Sequence, residues 1–343
     1  MNDIFEAITL GKKVEPKLLM LSPTDYCNLA CKICWRLKED AKFSQPSFNF
    51  LKKIIKEASE MKVKTIDLTG GGEPFVRGDI LNLMKLVKKL GMKGTLTTNS
   101  TLIKKSHIKN IVKMKWDEIN LSLDGSTPEI NDYIRGEGTF EKVLEKIKTF
   151  QEIKKNNNSS NPLLRLCFTI TSTNFQDLPN YIKLAKHLDI KNINFSILFK
   201  WESNREFWLK QYDKEKVNYI LRESSRLAKS LDIKTNLEPI KMFGIWKHEP
   251  PKFCFAPWYM LFINASREAM ACCTLASLYQ NKLGKVNSLE EVWFSRKMEM
   301  LRERMKKRIF FKECKRCLPE FTQMFNQMYG EMKRWSLKKS KEG

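Results

Sequence analysis

The sequence predicts an α/β protein built on a partial (β/α)6 barrel of the TIM type. Two observations support this fold class. Between residues 18 and 199, short apolar strand segments alternate with amphipathic helical segments, which is typical of parallel strands joined by right-handed helical crossovers. After about Asn204 the alternation ends, and beyond Pro239 the chain becomes rich in cysteine and aromatic residues. We therefore expect two domains, at residues 1–240 and 241–343.

The individual elements follow in regular order along the chain. Strands are short runs of apolar residues, whereas helices repeat apolar residues at three- and four-residue spacing, as in Leu51, Ile54 and Ile55. Ser47 is a candidate helix N-cap, and Gly91 closes another helix. The predicted strands are 18–22, 65–69, 95–98, 118–123, 163–170 and 193–199, and the predicted helices are 48–61, 80–90, 103–112, 140–154, 178–188, 217–230 and 290–308.

The composition indicates a globular chain with a large core. Of the 343 residues, 42% are hydrophobic and 11% aromatic, which excludes wholesale disorder. The longest apolar stretch, about 253–263, is too short and too interrupted to cross a bilayer. Asp3 and Glu6 stand where a secretory signal would need an apolar run. We expect a cytoplasmic protein without a membrane span.

The formal net charge is +23, from 62 Lys and Arg against 39 Asp and Glu. Much of the excess lies on predicted helix faces, as at Lys85, Lys88 and Lys89, where it is typical of solvated surface. An acidic partner or substrate, such as a phosphate or nucleic acid, is the alternative interpretation. The pattern does not favour nucleic acid.

Nine cysteines in an expected reducing compartment favour metal binding over disulfides. Cys27, Cys31 and Cys34 form a C-x3-C-x2-C loop directly after the first strand. Three thiolates at this spacing can hold a four-iron cluster and leave one iron open to an amine and a carboxylate. A zinc site is the alternative, although no nearby His or Cys supplies its fourth ligand.

This loop resembles that of the radical S-adenosylmethionine (radical SAM) superfamily. Further segments agree with the family in order and position. The resemblance implies that the glycines after the second strand admit the methionine part of the ligand, that Glu73 orients this region, that Ser122 faces the nucleoside and that Arg135 pairs with the ligand carboxylate. The cofactor-binding residues so implied are Gly70, Gly71, Gly72, Glu73, Pro74, Asn99, Ser122, Asp124 and Arg135.

Two departures from the family pattern lie near these segments. Ser100 stands where the family has the glycine of Thr-Asn-Gly. Ile33 precedes the third cysteine, where an aromatic residue is frequent, so an adenine contact there would be aliphatic.

The C-terminal cysteines resemble the SPASM/twitch extension of radical SAM enzymes, a small α+β unit that holds auxiliary iron–sulfur clusters. Because no cysteine follows Cys317, the shorter twitch type is favoured, with a second 4Fe-4S cluster of closed coordination. Cys272 and Cys273 compete for one ligand position, and the motif alignment favours Cys272. A structural zinc on the same residues is the alternative. The implied ligands are Cys254, Cys272, Cys314 and Cys317.

Two cysteines remain outside both sets. Cys167 lies in an apolar strand, where a buried cysteine usually acts as a small hydrophobic residue. Cys167 and Cys273 are candidate hydrogen-atom donors, and the sequence identifies no other catalytic residue.

The resemblance implies reductive cleavage of S-adenosylmethionine to a 5′-deoxyadenosyl radical, which removes a hydrogen atom from the substrate. A closed auxiliary 4Fe-4S cluster favours oxidation or epimerisation of a sugar or cyclitol. Modification of a peptide or protein is the second hypothesis, and a non-enzymatic zinc and nucleic-acid-binding protein is the third. The implied partners are the small-molecule or peptide substrate and an external one-electron donor such as flavodoxin or ferredoxin.

Overall fold

A computed structural model describes residues 1–246, 250–277 and 281–342. The described residues form one mixed, mostly parallel sheet, whose strands are β1 (Leu18–Leu21), β2 (Thr65–Leu68), β3 (Lys93–Thr98), β4 (Glu118–Ser122), β5 (Leu163–Ile170), β6 (Asn192–Ile197), β7 (Lys234–Thr235), β8 (Met260–Ile263), β9 (Glu268–Met270) and β10 (Gly284–Lys285). Their order across the sheet is β10-β9-β8-β1-β2-β3-β4-β5-β6-β7.

The predicted α/β class is confirmed. All six predicted strands are present as β1 to β6, each parallel to its neighbour. Their carboxyl ends therefore meet at one edge of the sheet, where the loops carrying the predicted site residues begin. The ladder is open, with β10 and β7 as its edge strands.

The helices cover the sheet with their apolar faces, as in α2 (Phe48–Glu60), where Leu51, Ile54 and Ile55 are fully buried. Ser47 caps this helix as predicted, because its hydroxyl accepts from the Phe50 N–H at 3.2 Å. The helices are α1 (Asn2–Leu10), α2 (Phe48–Glu60), α3 (Ile80–Lys89), α4 (Lys105–Lys113), α5 (Pro128–Arg135), α6 (Thr139–Asn156), α7 (Leu178–His187), α8 (Lys214–Ser230), α9 (Leu237–Phe243), α10 (Ala256–Tyr259), α11 (Cys273–Ser277), α12 (Leu289–Trp293), α13 (Arg296–Lys306) and α14 (Pro319–Glu342).

The prediction of a single helix over 290–308 is wrong, because this stretch forms two helices, α12 and α13. Ser288 and Ser295 each act as an N-cap, and the Ser295 hydroxyl accepts from the Met298 N–H at 3.2 Å. A second cap inside the amphipathic stretch starts a new helix there.

The C-terminal segment joins the same sheet. Strand β8 pairs in parallel with β1, so that Leu18 lies opposite Met260 and Leu21 opposite Ile263. Strands β9 and β10 then continue antiparallel. Helix α9 runs through the domain boundary expected at residue 240, which stays a prediction. Among the described helices, none is long and apolar enough to cross a membrane.

Candidate functional site

The carboxyl ends of the central strands border a cavity of about 440 Å³, called here the first chamber. Ser22 follows β1, whereas Thr169 and Ser196 lie near the ends of β5 and β6. Parallel strands bring such residues together from distant parts of the chain, and ligands of α/β proteins bind at this edge. The lining also includes Asp25, Cys31, Cys34, Gly70, Gly71, Arg135 and Cys273.

The first cysteine set lies on the loop after β1. Cys31 and Cys34 line the first chamber, and a turn links them, in which the Cys34 N–H donates to Cys31 O at 2.9 Å. Cys27 lies beside the end of β3, where Asn99 Nδ2 donates to its sulfur at 3.6 Å. Burial raises the pKa of Cys31 to about 11 and also raises that of Cys34. Thiolates here need a positively charged partner, and the irons of a cluster meet that need.

Arg77 holds the two ends of this loop together. The residue is 4% exposed, and its Nη1 donates to Pro23 O at 3.0 Å and to Pro46 O at 2.7 Å. Its Nε and Nη2 donate to the two carboxylate oxygens of Asp79, each at 2.8 Å. A bidentate ion pair thus fixes a guanidinium that bridges two backbone carbonyls.

We expect Arg77→Met to destabilise the chain by about 3 kcal/mol, because two buried carbonyl oxygens and a carboxylate lose their donor. The matched control is Arg165→Met, which breaks a part-exposed ion pair with Glu118 and should cost about 1 kcal/mol or less. Denaturant unfolding of the cluster-free chain measures both free energies. Equal losses would show that Arg77 does not hold the loop.

The three glycines after β2 are required by a close approach to the cysteine loop. A Cβ at Gly71 would lie 1.8 Å from Asp25 Oδ1, and one at Gly72 would lie 2.0 Å from Tyr26 O. Gly70 has a φ of 142°, a region that favours glycine. Packing against the loop therefore explains the glycines, while Gly70 and Gly71 also line the first chamber.

Glu73 ties the ends of β2 and β3 together. It is 2% exposed, and its carboxylate accepts from the Phe75 N–H at 3.0 Å, Thr98 Oγ1 at 2.7 Å and the Asn99 N–H at 2.7 Å. Burial raises its pKa, and these donors oppose that effect. The adjacent 3-10 turn Pro74–Val76 begins at the proline. Neither Glu73 nor Pro74 is among the residues described as lining the first chamber.

Ser100 has a left-handed backbone conformation, which favours glycine. Its φ is 67°, and its N–H donates to Thr98 Oγ1 at 2.9 Å. A side chain in this conformation costs about 1–2 kcal/mol, so serine at this position lowers the stability of the turn.

Arg135 lines the first chamber from the end of α5 and is oriented by Asp124. The Arg135 Nε lies 2.7 Å from Asp124 Oδ2, and the other Asp124 oxygen accepts from the Thr169 N–H at 2.6 Å. Burial acts to lower the pKa of Arg135, but Asp124 and Cys31 outweigh it and the pKa is raised. Arg135 therefore stays cationic, whereas Asp124 is fully buried behind it.

Ser122 and Cys167 lie opposite each other on β4 and β5. Neither belongs to the described lining of the first chamber. Burial raises the pKa of Cys167 to about 12. The geometry thus favours Cys273 over Cys167 as a residue that could reach a substrate.

The second cysteine set surrounds a small apolar cavity of about 30 Å³. Burial raises the pKa of Cys272 to about 11 and that of Cys317 to about 12, and neighbouring thiols add to both shifts. Among the described residues, no three Cys, His, Asp or Glu side chains are grouped as for a single metal ion. The five cysteines that border the cavity are Cys254, Cys272, Cys273, Cys314 and Cys317.

Cys272 and Cys273 differ in their surroundings. Both border the small cavity, but Cys273 also lines the first chamber. The Cys272 sulfur accepts from the Leu275 N–H at 3.5 Å. Cys273 therefore lies between the two cysteine sets.

A second chamber of about 410 Å³ adjoins the first. The two chambers share the lining residues Ile197, Leu198, Phe199 and Leu318. Cys317 of the second set lines this chamber. The two chambers are thus adjacent, with Cys31 and Cys34 of the first cysteine set bordering one and Cys317 of the second set bordering the other.

Several polar residues of the first chamber were missed in the sequence. Thr169 and Ser196 alternate with buried residues at the ends of apolar strands, and this period of two is the signal that could have found them. Asp25 precedes the first cysteine by two positions, and burial raises its pKa to about 6. Asn264 follows β8 and also lines this chamber.

Comparison with known proteins agrees with this geometry. Residues 21–185 match the family model of the radical SAM superfamily, and residues 254–318 match that of SPASM, an iron–sulfur cluster-binding domain. The chain is 30% identical over 187 residues to Fe-coproporphyrin III synthase of Methanosarcina barkeri, covering 53% of this chain and 44% of the relative. It is 29% identical over 185 residues to GTP 3',8-cyclase of Petrotoga mobilis, covering 52% of this chain and 55% of the relative.

Among solved structures, Streptococcus suis SuiB bound to S-adenosylmethionine superposes with a TM-score of 0.68 at 18% identity, covering 92% of this chain and 75% of SuiB. SuiB bound to the precursor peptide SuiA superposes with a TM-score of 0.66 at 18% identity, covering 87% of this chain and 69% of SuiB. These likenesses concern the fold. The chain spans about half the length of the curated relatives it matches.

A parallel α/β sheet with one cysteine set at its strand ends and a second set in a C-terminal extension defines an iron–sulfur protein. The two matched domains make the assignment specific. The chain belongs to the radical SAM superfamily and carries a SPASM domain. Radical SAM proteins with this domain are enzymes whose cofactors are S-adenosylmethionine and 4Fe-4S clusters.

Proposed function

We propose that this chain cleaves S-adenosylmethionine reductively at the first chamber and oxidises a peptide substrate in the space between its two cysteine sets. One observation carries the proposal: Cys31 and Cys34 line the first chamber, Cys317 lines the second, and the two chambers share a wall. A substrate group that loses a hydrogen atom in the first chamber would therefore lie beside one proposed cluster site and next to the chamber that the other site borders.

Cys27, Cys31 and Cys34 would hold the first cluster and leave one iron open to S-adenosylmethionine. When bound, the cluster and S-adenosylmethionine would supply a 5′-deoxyadenosyl radical as the acceptor of a substrate hydrogen atom, with methionine as the co-product of cleavage. The backbone at Gly70 and Gly71 would contact the methionine part, and the cationic Arg135, oriented by Asp124, would pair with its carboxylate. Ile33, Phe262 and Leu198 line the same chamber and would exclude water.

Cys254, Cys272, Cys314 and Cys317 would hold the auxiliary 4Fe-4S cluster. These four thiolates would leave no iron open, and the cluster would supply an acceptor for the second electron of a two-electron oxidation, with the substrate proton leaving to solvent. An external one-electron donor, such as flavodoxin or ferredoxin, would supply the electron for the initial cleavage. Cys273, which borders both spaces, is the candidate hydrogen donor if the reaction is an epimerisation.

The lining of the second chamber favours a peptide over the sugar or cyclitol that the sequence suggested first. Apolar side chains such as Ile170, Leu209 and Ile245 share this chamber with cations, and no carboxylate or amide side chain is among the described lining residues. A buried sugar needs a hydrogen-bond partner for each hydroxyl, so this lining suits it poorly. SuiB, which has the same fold, has been solved with a precursor peptide.

The test is an anaerobic assay of the reconstituted, reduced chain with S-adenosylmethionine. We expect 5′-deoxyadenosine without substrate, and more of it with a mixture of short synthetic peptides, together with peptide products two hydrogens lighter. The comparison arm contains myo-inositol and glucosamine. Stimulation by these polyols alone would overturn the peptide assignment, and absence of 5′-deoxyadenosine under every condition would overturn the enzymatic one.

A further inference from the structure

We infer that the second chamber binds acidic side chains of the substrate peptide, a proposal that rests on the function given above. Four cations line this chamber. Lys200 follows β6, and Lys312, Lys315 and Arg316 belong to the 3-10 turn Lys312–Arg316. Two segments that are distant in sequence thus contribute positive charge to one chamber.

This positive charge is not balanced by the chamber lining itself. Among the described residues that line the chamber there is no Asp or Glu. Lys312 lies 4.0 Å from Glu313, but the Lys312 side chain is 91% exposed, and such a contact contributes little. Like charges beside an apolar wall repel one another and focus a positive potential, which a bound carboxylate relieves.

The remaining lining indicates what must accompany the carboxylate. Ile170, Leu209 and Ile245 provide apolar surface, and the half-buried Trp208 ring lies 5.4 Å from Lys200 Nζ. The Trp208 Nε1 donates to Asn204 Oδ1 at 2.8 Å, which fixes the ring. An occupant that alternates carboxylates with apolar side chains matches this surface, and an acidic peptide segment has that chemistry.

The cations of the 3-10 turn also have a second explanation. They adjoin Cys314 and Cys317, where they would balance the negative charge of an auxiliary cluster. Lys200 follows β6 of the parallel sheet and does not belong to that turn, so charge balance at the turn does not explain why Lys200 lines the chamber. Lys200 is therefore the residue whose substitution separates ligand binding from cluster charge balance.

The experiment measures binding of fluorescein-labelled Gly-Glu-Leu-Glu-Phe-Glu-Gly to the reconstituted full chain by fluorescence anisotropy. We expect the Glu peptide to bind at least about tenfold tighter than the same peptide with Gln in place of Glu, with the difference shrinking at high salt. Lys200→Glu and Lys315→Glu/Arg316→Glu should each lower the affinity for the Glu peptide by at least about fivefold. The control Lys142→Glu/Lys148→Glu makes the same charge change as the double variant, on the exposed face of α6, and should stay within about twofold.

Iron content is measured for each variant. If the double variant loses iron, its affinity is not interpreted, and Lys200→Glu alone decides the result. Equal affinity for the Glu and Gln peptides, unchanged affinity in Lys200→Glu, or an equal loss in the α6 control would overturn the inference. Glutarate and the unlabelled Glu peptide are compared as competitors of the labelled peptide. If glutarate competes equally well, the chamber binds any free carboxylate, and the assignment of a peptide ligand is wrong. Cleavage of S-adenosylmethionine by the wild-type chain is measured in a separate assay. No cleavage would refute the proposed function, whereas equal binding of the Glu and Gln peptides alone would refute only this inference.

Discussion

Substituting alanine for Cys27, Cys31 and Cys34 together is expected to remove about four of roughly eight irons per reconstituted chain and to abolish formation of 5′-deoxyadenosine. The physical reason is local. Cys31 and Cys34 line the first chamber, and Cys27 lies against Asn99 at its margin, whereas the second set borders a separate cavity. Iron and sulfide analysis with electron paramagnetic resonance measures the loss.

Two controls make this result specific. Cys167→Ala removes a half-buried thiol outside both sets and should retain all of the iron. Cys314→Ala/Cys317→Ala should remove the other half of the iron. A triple variant that kept its full iron content would refute the assignment of the first set, and zinc in place of iron in the wild-type chain would refute both cluster assignments.

Cys272→Ala and Cys273→Ala are expected to differ, although the residues are adjacent. Cys272→Ala should lose about four irons, and Cys273→Ala should keep them. The Cys272 sulfur accepts the Leu275 N–H and borders only the small cavity, while Cys273 also lines the first chamber. Because the same substitution is made at adjacent positions, each variant is the control for the other. The spectroscopic signal of the auxiliary cluster is the measurement. The opposite pattern of iron loss would assign the ligand position to Cys273.

A further readout in Cys273→Ala separates two reaction types. If Cys273 donates a hydrogen atom to the substrate, the variant should consume S-adenosylmethionine but no longer deliver a solvent-derived deuterium to the product. If the reaction is an oxidation, product formation in this variant should persist. Mass spectrometry of the product in deuterium oxide distinguishes these results.

The alternation of strands and helices between β1 and β6 was predictable because its periodicity is strong. Helix α2 has its apolar residues on one face and a serine cap, and β5 was predicted at residues 163–170, where it lies. The cysteine spacings likewise located two sets. These features are local in sequence, so they can be recognised without knowledge of the contacts between distant segments.

Other features depend on contacts that no local pattern records. The sequence predicted ligand binding by the glycines after β2, which stays a prediction, but it did not show that a Cβ at Gly71 would meet Asp25 Oδ1 or that one at Gly72 would meet Tyr26 O. The pairing of β8 with β1 joins residues at opposite ends of the chain. The cap at Ser295 divided a helix whose apolar pattern continues on both sides. Each of these required the packed structure.

The position of β1 between β2 and β8 has a consequence for biosynthesis. Strand β2 emerges from the ribosome soon after β1, but β8 is made about two hundred residues later, when strands β1 to β7 are already available to pair. Phe262, Asn264, Cys273 and Leu318, which also line the first chamber, are all synthesised after β8 begins. The wall around the first cysteine loop can therefore close only after Leu318 has left the ribosome, long after the three cysteines themselves.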